Sequence, residues 1–181
     1  MQTKKIATTL AALLLAAALW SPVRAASPVQ TEFYGVTFGK SYFGVKTWMA
    51  RKYENIASTR DELLYRNMTF AGHNWEYVRM DFDAKKKFYH IGFEKPCSTE
   101  ESAMSRYGLI RDLLQEKYGK GTTLEETDRI STFFNDNDGH YVYIVAERSE
   151  SRGGELLWYC HLDYYDKELL GKETQRLRND L

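Results

Sequence analysis

Cysteine is scarce: Cys97 and Cys160 are the only two in 181 residues. That excludes a disulfide-dense scaffold and any zinc site built from four thiolates. One bridge at most is open to the chain. Closing the loop between these two positions would be worth roughly 4 kcal/mol by loop entropy, and two buried free thiols are the alternative. Proline occurs three times, at Pro22, Pro28 and Pro96, so there is no proline-rich linker and nothing to interrupt long elements. Charge of one sign is also missing, with 25 cationic and 25 acidic residues. Without a basic excess, nucleic acid is not an expected partner. Histidine appears only four times, at positions 73, 90, 140 and 161, and no two have the close spacing of zinc-ligand motifs.

Only one long apolar run exists, from Ile6 to Trp20. Lys4 and Lys5 precede it and Val23-Arg24-Ala25 follows it. This order reads as a secretory leader cut after Ala25, too short for a membrane span. The predicted destination is the periplasm or the medium. Cleavage removes Lys4, Lys5 and Arg24 and no acid, so the net charge falls from 0 to about −3. No second run approaches membrane length, and no cysteine near the cut offers a lipid attachment point.

What the chain does have is aromatic, alternating sequence. Ser41 is placed to cap a helix that carries Val45, Trp48, Met49 and Tyr53 on one side. Strands follow in "ELLYRNMTF", "NWEYVRMDF" and "KFYHIGFEK", the last two joined by a turn at "DAKK". Ser98 with Glu101 then reads as a capping box for a long helix. Its apolar stripe is Ala103, Tyr107, Ile110, Leu114 and Tyr118, and Gly119 suits its C-terminal cap. Three more strands are read in "DRISTFFND", "GHYVYIVAE" and "ELLWYCHLDYY", with a polar helix after Asp166.

The order is helix and three strands, twice. Gly72-His73 and Gly139-His140 open matching strands, where glycine supplies the positive φ of a hairpin turn. His90 and His161 sit in matching third strands. The expected fold is therefore α+β: tandem αβββ halves (26–97 and 98–181, after a leader at 1–25) forming one antiparallel sheet in a single domain. Helices cover one face, and a terminal helix completes the second half.

Strand alternation assigns the faces. Val78, Met80, Val142, Ile144, Cys160 and Leu162 point to the helices, as does Cys97, which makes a Cys97–Cys160 disulfide a candidate. Trp75, Tyr77, Arg79, His90, Tyr141, Tyr143, Tyr159 and His161 fall on the other face. Tyrosine, tryptophan and arginine are the residue types that dominate protein interfaces.

Chemical motifs are weak. "VTFGKS" ends like a phosphate loop, but Gly35 stands one residue too close to Gly39. Cys160 and His161 are strand neighbours and point to opposite faces, so they form no thiol–imidazole dyad. His161 and Asp163 share a face and, joined by His90, define the alternative of a small exported enzyme or metal-dependent hydrolase. No catalytic residue, cofactor or metal is assigned by motif.

The opening segment "YGVTFGKSYFGVKTWMARKY", a short strand leading through Gly39 and Ser41 into a helix, resembles the start of many small exported bacterial domains. The doubled helix-plus-sheet plan is similar to the SmpA/OmlA-like and β-lactamase-inhibitor-like folds. The resemblance lies in organisation, and carries over no functional residue. The chain departs from the lipoprotein members in lacking the acylated cysteine. The resemblance implies a non-enzymatic role: a binding or assembly module contacting a protein, an envelope component or another copy of itself, or an inhibitor of an exported enzyme.

Overall fold

The N-terminal ribbon is the smallest element and shows how tightly the sequence constrains the backbone. Strands β1 (Glu32–Phe33) and β2 (Val36–Thr37) pair across a turn in which Tyr34 and Gly35 both have positive φ. A Cβ at Gly35 would lie 3.0 Å from the Trp48 ring, so the turn and the helix behind it both require glycine there. In this computed structural model residues 27–151 and 154–172 are described. The expected leader therefore lies outside the described residues.

Helix α1 (Tyr42–Met49) starts where Ser41 Oγ accepts the Gly44 N–H, and it buries Val45 and Met49. Four strands follow it: β3 (Asn55–Ser58), β4 (Glu62–Phe70), β5 (His73–Phe82) and β6 (Phe88–Cys97). Helix α2 (Glu100–Tyr118) then precedes β7 (Thr122–Glu126), β8 (Arg129–Asn135), β9 (His140–Glu150) and β10 (Leu156–Asp166). The α2 stripe Ala103, Tyr107, Ile110, Leu114 and Tyr118 is buried as expected. Its cap is Thr99, whose hydroxyl accepts the Ser102 N–H, so the Ser98–Glu101 box is displaced by one residue. Residues 167–172 are helical, and the rest of the expected terminal helix lies outside the described residues.

Strands β3 to β10 form one antiparallel sheet in the order β3-β4-β5-β6-β10-β9-β8-β7, separate from the β1–β2 ribbon. Helices α1 and α2 are thus each followed by four strands, and the three expected per half are corrected to four. The additional strands, β3 and β7, are the sheet edges. "NIAS" and "TTLEE" are short and polar, with nearly every residue exposed. Edge strands of this kind carry no hydrophobic alternation to betray them.

The order reads the same from either edge, and its centre is the β6–β10 pair. There His90 faces Tyr165, Gly92 faces Asp163 and Glu94 faces His161. Laying His90 on His161 carries Gly92 onto Asp163 and Glu94 onto Tyr165. Both Gly-His pairs mark hairpin turns, Gly72 with φ +77° and Gly139 with φ +87°. The β5–β6 register differs by two residues from a symmetric "DAKK" turn: Val78 faces Phe93 and Met80 faces Ile91. Parity survives a two-residue shift, so the face assignments along this stretch stand.

The core lies between the helices and one sheet face. Val78, Met80, Ile91, Phe93, Val142, Ile144, Cys160 and Leu162 are all fully buried there. Phe70 stacks on Phe93 with centroids 4.3 Å apart, and Tyr164 meets Phe70 edge-on. Tyr107 and Thr132, both buried, share a hydrogen bond at 2.5 Å, and Thr132 meets Thr123 at 2.8 Å.

Two sequence expectations are overturned in this core. Cys97 and Cys160 are both buried free thiols. Cys97 sits opposite Trp158, whereas Cys160 sits opposite Lys95. The two cysteines are therefore diagonal neighbours on one face, and typical diagonal spacing of ~7–8 Å is too long for a disulfide. Burial, followed by the neighbouring Cys97, raises the Cys160 thiol to about 12. Trp75 is the second correction. It is fully buried on the core side, with its indole N–H donating to the Phe70 carbonyl. Asn67 has φ +52°, and on both β4 and β5 two successive residues turn outward beside it. The alternation flips there, carrying Met68 and Trp75 into the core.

Candidate functional site: a cleft on the uncovered sheet face

Opposite the helices, the middle strands enclose a cleft of about 270 Å³. Its walls come from Leu64 on β4, Tyr77 and Arg79 on β5, Glu94 on β6, Arg129 on β8, Tyr143, Val145 and Glu147 on β9, and His161, Asp163 and Tyr165 on β10. Leu64 and Val145 point away from the helices yet are 2% and 3% exposed. They form the floor of the cleft, among the longer side chains of Tyr77, Arg79, Tyr143 and Glu147.

The cleft sits beside a charge cluster centred on His90. That ring is 2% exposed. Its Nδ1 lies 2.5 Å from Asp81 Oδ2 and its Nε2 lies 2.8 Å from Asp163 Oδ1. Arg79 Nε lies 3.1 Å from the same Asp81 oxygen. Burial pulls the His90 pKa down, but hydrogen bonds and charge from Asp163 and Asp81 outweigh it and the pKa is raised. The doubly protonated ring then donates both N–H groups. Two cations and two carboxylates balance within the cluster. Gly92 makes it possible, since a Cβ there would lie 2.7 Å from Asp163 Oδ1.

Tyrosines roof this cluster. Tyr165 stacks on His90 at 4.2 Å between centroids, Tyr141 stacks on Tyr165 at 4.7 Å, and Phe133 packs on Tyr141 at 4.9 Å. Burial and then Asp163 push the Tyr141 phenol up to about 12, and the same causes raise Tyr165 further. Both remain neutral at any physiological pH.

The far wall is a second set of charges. Arg129 reaches Glu147 at 3.3 Å and donates to the Tyr143 hydroxyl at 2.5 Å. His161 Nε2 lies 3.6 Å from Glu147 and its Nδ1 lies 4.0 Å from Glu94. Both distances exceed a hydrogen bond, and His161 Nε2 is buried without a hydrogen-bond partner. On β4 and β5, Arg66 donates to the Tyr77 hydroxyl at 3.2 Å, so an arginine–tyrosine pair flanks the cleft on each side.

The eight residues expected on this face thus divide. Tyr77, Arg79, Tyr143 and His161 line the cleft. His90 and Tyr141 sit beside it through Tyr165. Tyr159 stacks on His161 but is only 6% exposed, and Trp75 belongs to the core. His90 and Asp163 converge, while His161 turns to the glutamates. Among the described residues no group of histidine, cysteine and acidic side chains is arranged to hold a metal ion.

The sequence reading missed Leu64, Glu94, Arg129, Val145 and Glu147. Parity alone puts Glu94 with His90, and Glu147 with Tyr143. Arg129 joins them only through the β8–β9 register, where it faces Glu147. No family model, curated protein or solved structure matches this chain.

Proposed function

We propose that the protein is an exported, non-catalytic binding module whose partner protein is received in the outer-face cleft. The observation that carries this reading is the cleft itself, formed by Tyr77, Arg79, Arg129, Tyr143 and His161 on the sheet face opposite α1 and α2. Tyrosine and arginine concentrate binding energy because each buries a large area and keeps a polar group. The cleft charges are already paired with one another, so their geometry is set before a partner arrives and less ordering cost remains. The cleft volume, about 270 Å³, falls just short of the usual range for small-molecule sites, ~300–1,000 Å³. A few protruding side chains of a protein suit it better. Export rests on the leader at 1–25, and an inhibitor acting on an exported enzyme is one form this module takes.

Two identical surfaces are the simplest partner pair, so the first test is sedimentation of the chain from Ala26 to Leu181 over a concentration range. Wild type is expected to associate, alone or with an added envelope extract, and a Tyr77→Ser, Tyr143→Ser double variant is expected not to. Equal behaviour of the two in both settings would remove the cleft from consideration.

A second reading, a small exported enzyme, draws on one observation: His90 within 2.8 Å of Asp163. The double carboxylate contact weighs against it. A ring that donates from both nitrogens has no lone pair with which to take a proton or bind a metal.

We also infer that the two halves arose by duplication. The strand order, the paired Gly-His turns and the central register on Gly92 and Asp163 support it. The isolated half from Ser98 to Leu181 would expose β10 as an edge and is expected to form a homodimer through it. A stable monomeric half would oppose the inference.

A further inference from the structure

Folding joins two basic stretches that are distant in sequence. From Gly39 to Tyr53 the chain carries Lys40, Lys46, Arg51 and Lys52 and no acid, and Lys85, Lys86 and Lys87 form the second run. The β5–β6 loop is fastened to the start of α1. The Tyr42 N–H donates to the Lys86 carbonyl at 2.8 Å, the Phe88 N–H donates to the Lys40 carbonyl at 2.9 Å, and Ser41 bridges to Lys87. Lys40, Arg51 and Lys52 gather around the Trp48 ring at 5.7 to 5.9 Å. Lys46 stands over Tyr42.

These seven cations are uncompensated. Among the described residues none of their side chains makes an ion pair, whereas Arg79, Lys95, Arg111, Arg129 and Lys172 all do. The acids at this end are few. Asp83 is buried and accepts the Lys87 N–H. Asp61 lies near, its carbonyl accepting the Phe82 N–H, and Glu54 closes the first run. A processed chain of net charge about −3 therefore carries a local surplus of the opposite sign. Within it stands Phe43, 77% exposed and the most exposed large apolar side chain among the described residues.

A single exposed phenylalanine needs no explanation. One carried on the same short helix as Lys46, next to Tyr42 and its bond to the lysine loop, has a specific complement in the headgroup boundary of an anionic bilayer. There an aromatic side chain enters the apolar edge while cations meet lipid phosphates. We propose that α1 and the β5–β6 loop form a docking surface for an anionic lipid bilayer, with Phe43 as the inserted residue. The leader delivers the chain to a membrane-bounded route, and this surface would hold it at a membrane without a span. The cleft uses different residues, so the two readings stand or fall separately.

The test is co-sedimentation of the Ala26–Leu181 chain, which contains every core residue, with lipid vesicles. Pure phosphatidylcholine is compared with a phosphatidylcholine–phosphatidylglycerol mixture at low and high salt. Binding is expected to the mixture alone and to weaken with salt. Each neutralised lysine in a Lys85→Gln, Lys87→Gln variant should cost about fivefold in partitioning. Phe43→Ser should cost several-fold with an unchanged thermal melt. Equal binding to both vesicles, or none to the mixture, would overturn the proposal. So would binding that falls with the lysine variant but is untouched by Phe43→Ser, which would mark a site for a soluble polyanion.

Discussion

Replacing Gly92 by alanine opposes two effects of known sign. Gly92 has ordinary strand geometry, with no positive φ. An alanine in mid-strand is normally better than glycine by about 0.5–1 kcal/mol, because less backbone entropy is lost. Here the new methyl would lie 2.7 Å from Asp163 Oδ1 and 3.3 Å from the His90 ring. Asp163 must rotate away, and its 2.8 Å bond to His90 is lost. A hydrogen bond to a charged group is worth about 1.5–3 kcal/mol. The net expectation is a destabilisation of about 1–2 kcal/mol, read as a lower urea midpoint at constant slope. In an Asp163→Ala background the closer obstacle is gone and only the 3.3 Å contact with the His90 ring remains, so the same substitution should cost less than in wild type or stabilise, by up to about 0.5–1 kcal/mol. If Gly92→Ala stabilises the wild-type chain, or costs as much without Asp163 as with it, the reasoning about this cluster is refuted.

Other consequences are equally direct. The His90 pKa is raised in the fold, so its stabilisation is complete below the unfolded value of about 6.5 and is lost as pH rises through the folded one. The stability gap between wild type and His90→Gln should therefore narrow on going from pH 6 upward; a gap that widens contradicts the double-carboxylate assignment. Thr132→Val leaves the buried Tyr107 hydroxyl without its partner and should cost about 1–3 kcal/mol in chemical unfolding. Native protein at pH 8 should show no thiol reactive to an aromatic disulfide reagent and two after unfolding, with no mobility change on reduction; a reductant-dependent band shift would restore the Cys97–Cys160 bridge.

Much of the fold was legible because burial imposes period. The α2 stripe matches the sequence pattern residue for residue, and "ELLYRNMTF" has the same bounds as β4. The failures are local and physical. Strands β3 and β7 are edges held by backbone bonds, and their large apolar side chains, Ile56 and Leu124, stand exposed rather than forming a buried alternating row. Alternation points Trp75 outward, but it reverses at a kink where Asn67 has a positive φ, which a sequence does not declare. Parity puts both cysteines on the core face, and the register that separates them is set only by the β6–β10 pairing. Half of the expected outer-face residues do line the cleft, since parity is cheap to read. The charge partners Arg129, Glu94 and Glu147 depend on which strands are neighbours, and the β6–β10 pairing joins positions some 70 residues apart. The basic patch escaped for the same reason: its two runs meet only after folding.

A protein partner received in the outer-face cleft, as proposed, should lie within crosslinking reach of the Tyr77 and Tyr143 positions. The most direct measurement is photocrosslinking in cells, with benzoyl-phenylalanine placed singly at Tyr77, Tyr143 or, as a control on the helix side, the exposed Leu109. One discrete adduct of the same mass is expected from positions 77 and 143 and none from 109. No adduct from either cleft position, or the same adducts from all three, would contradict it.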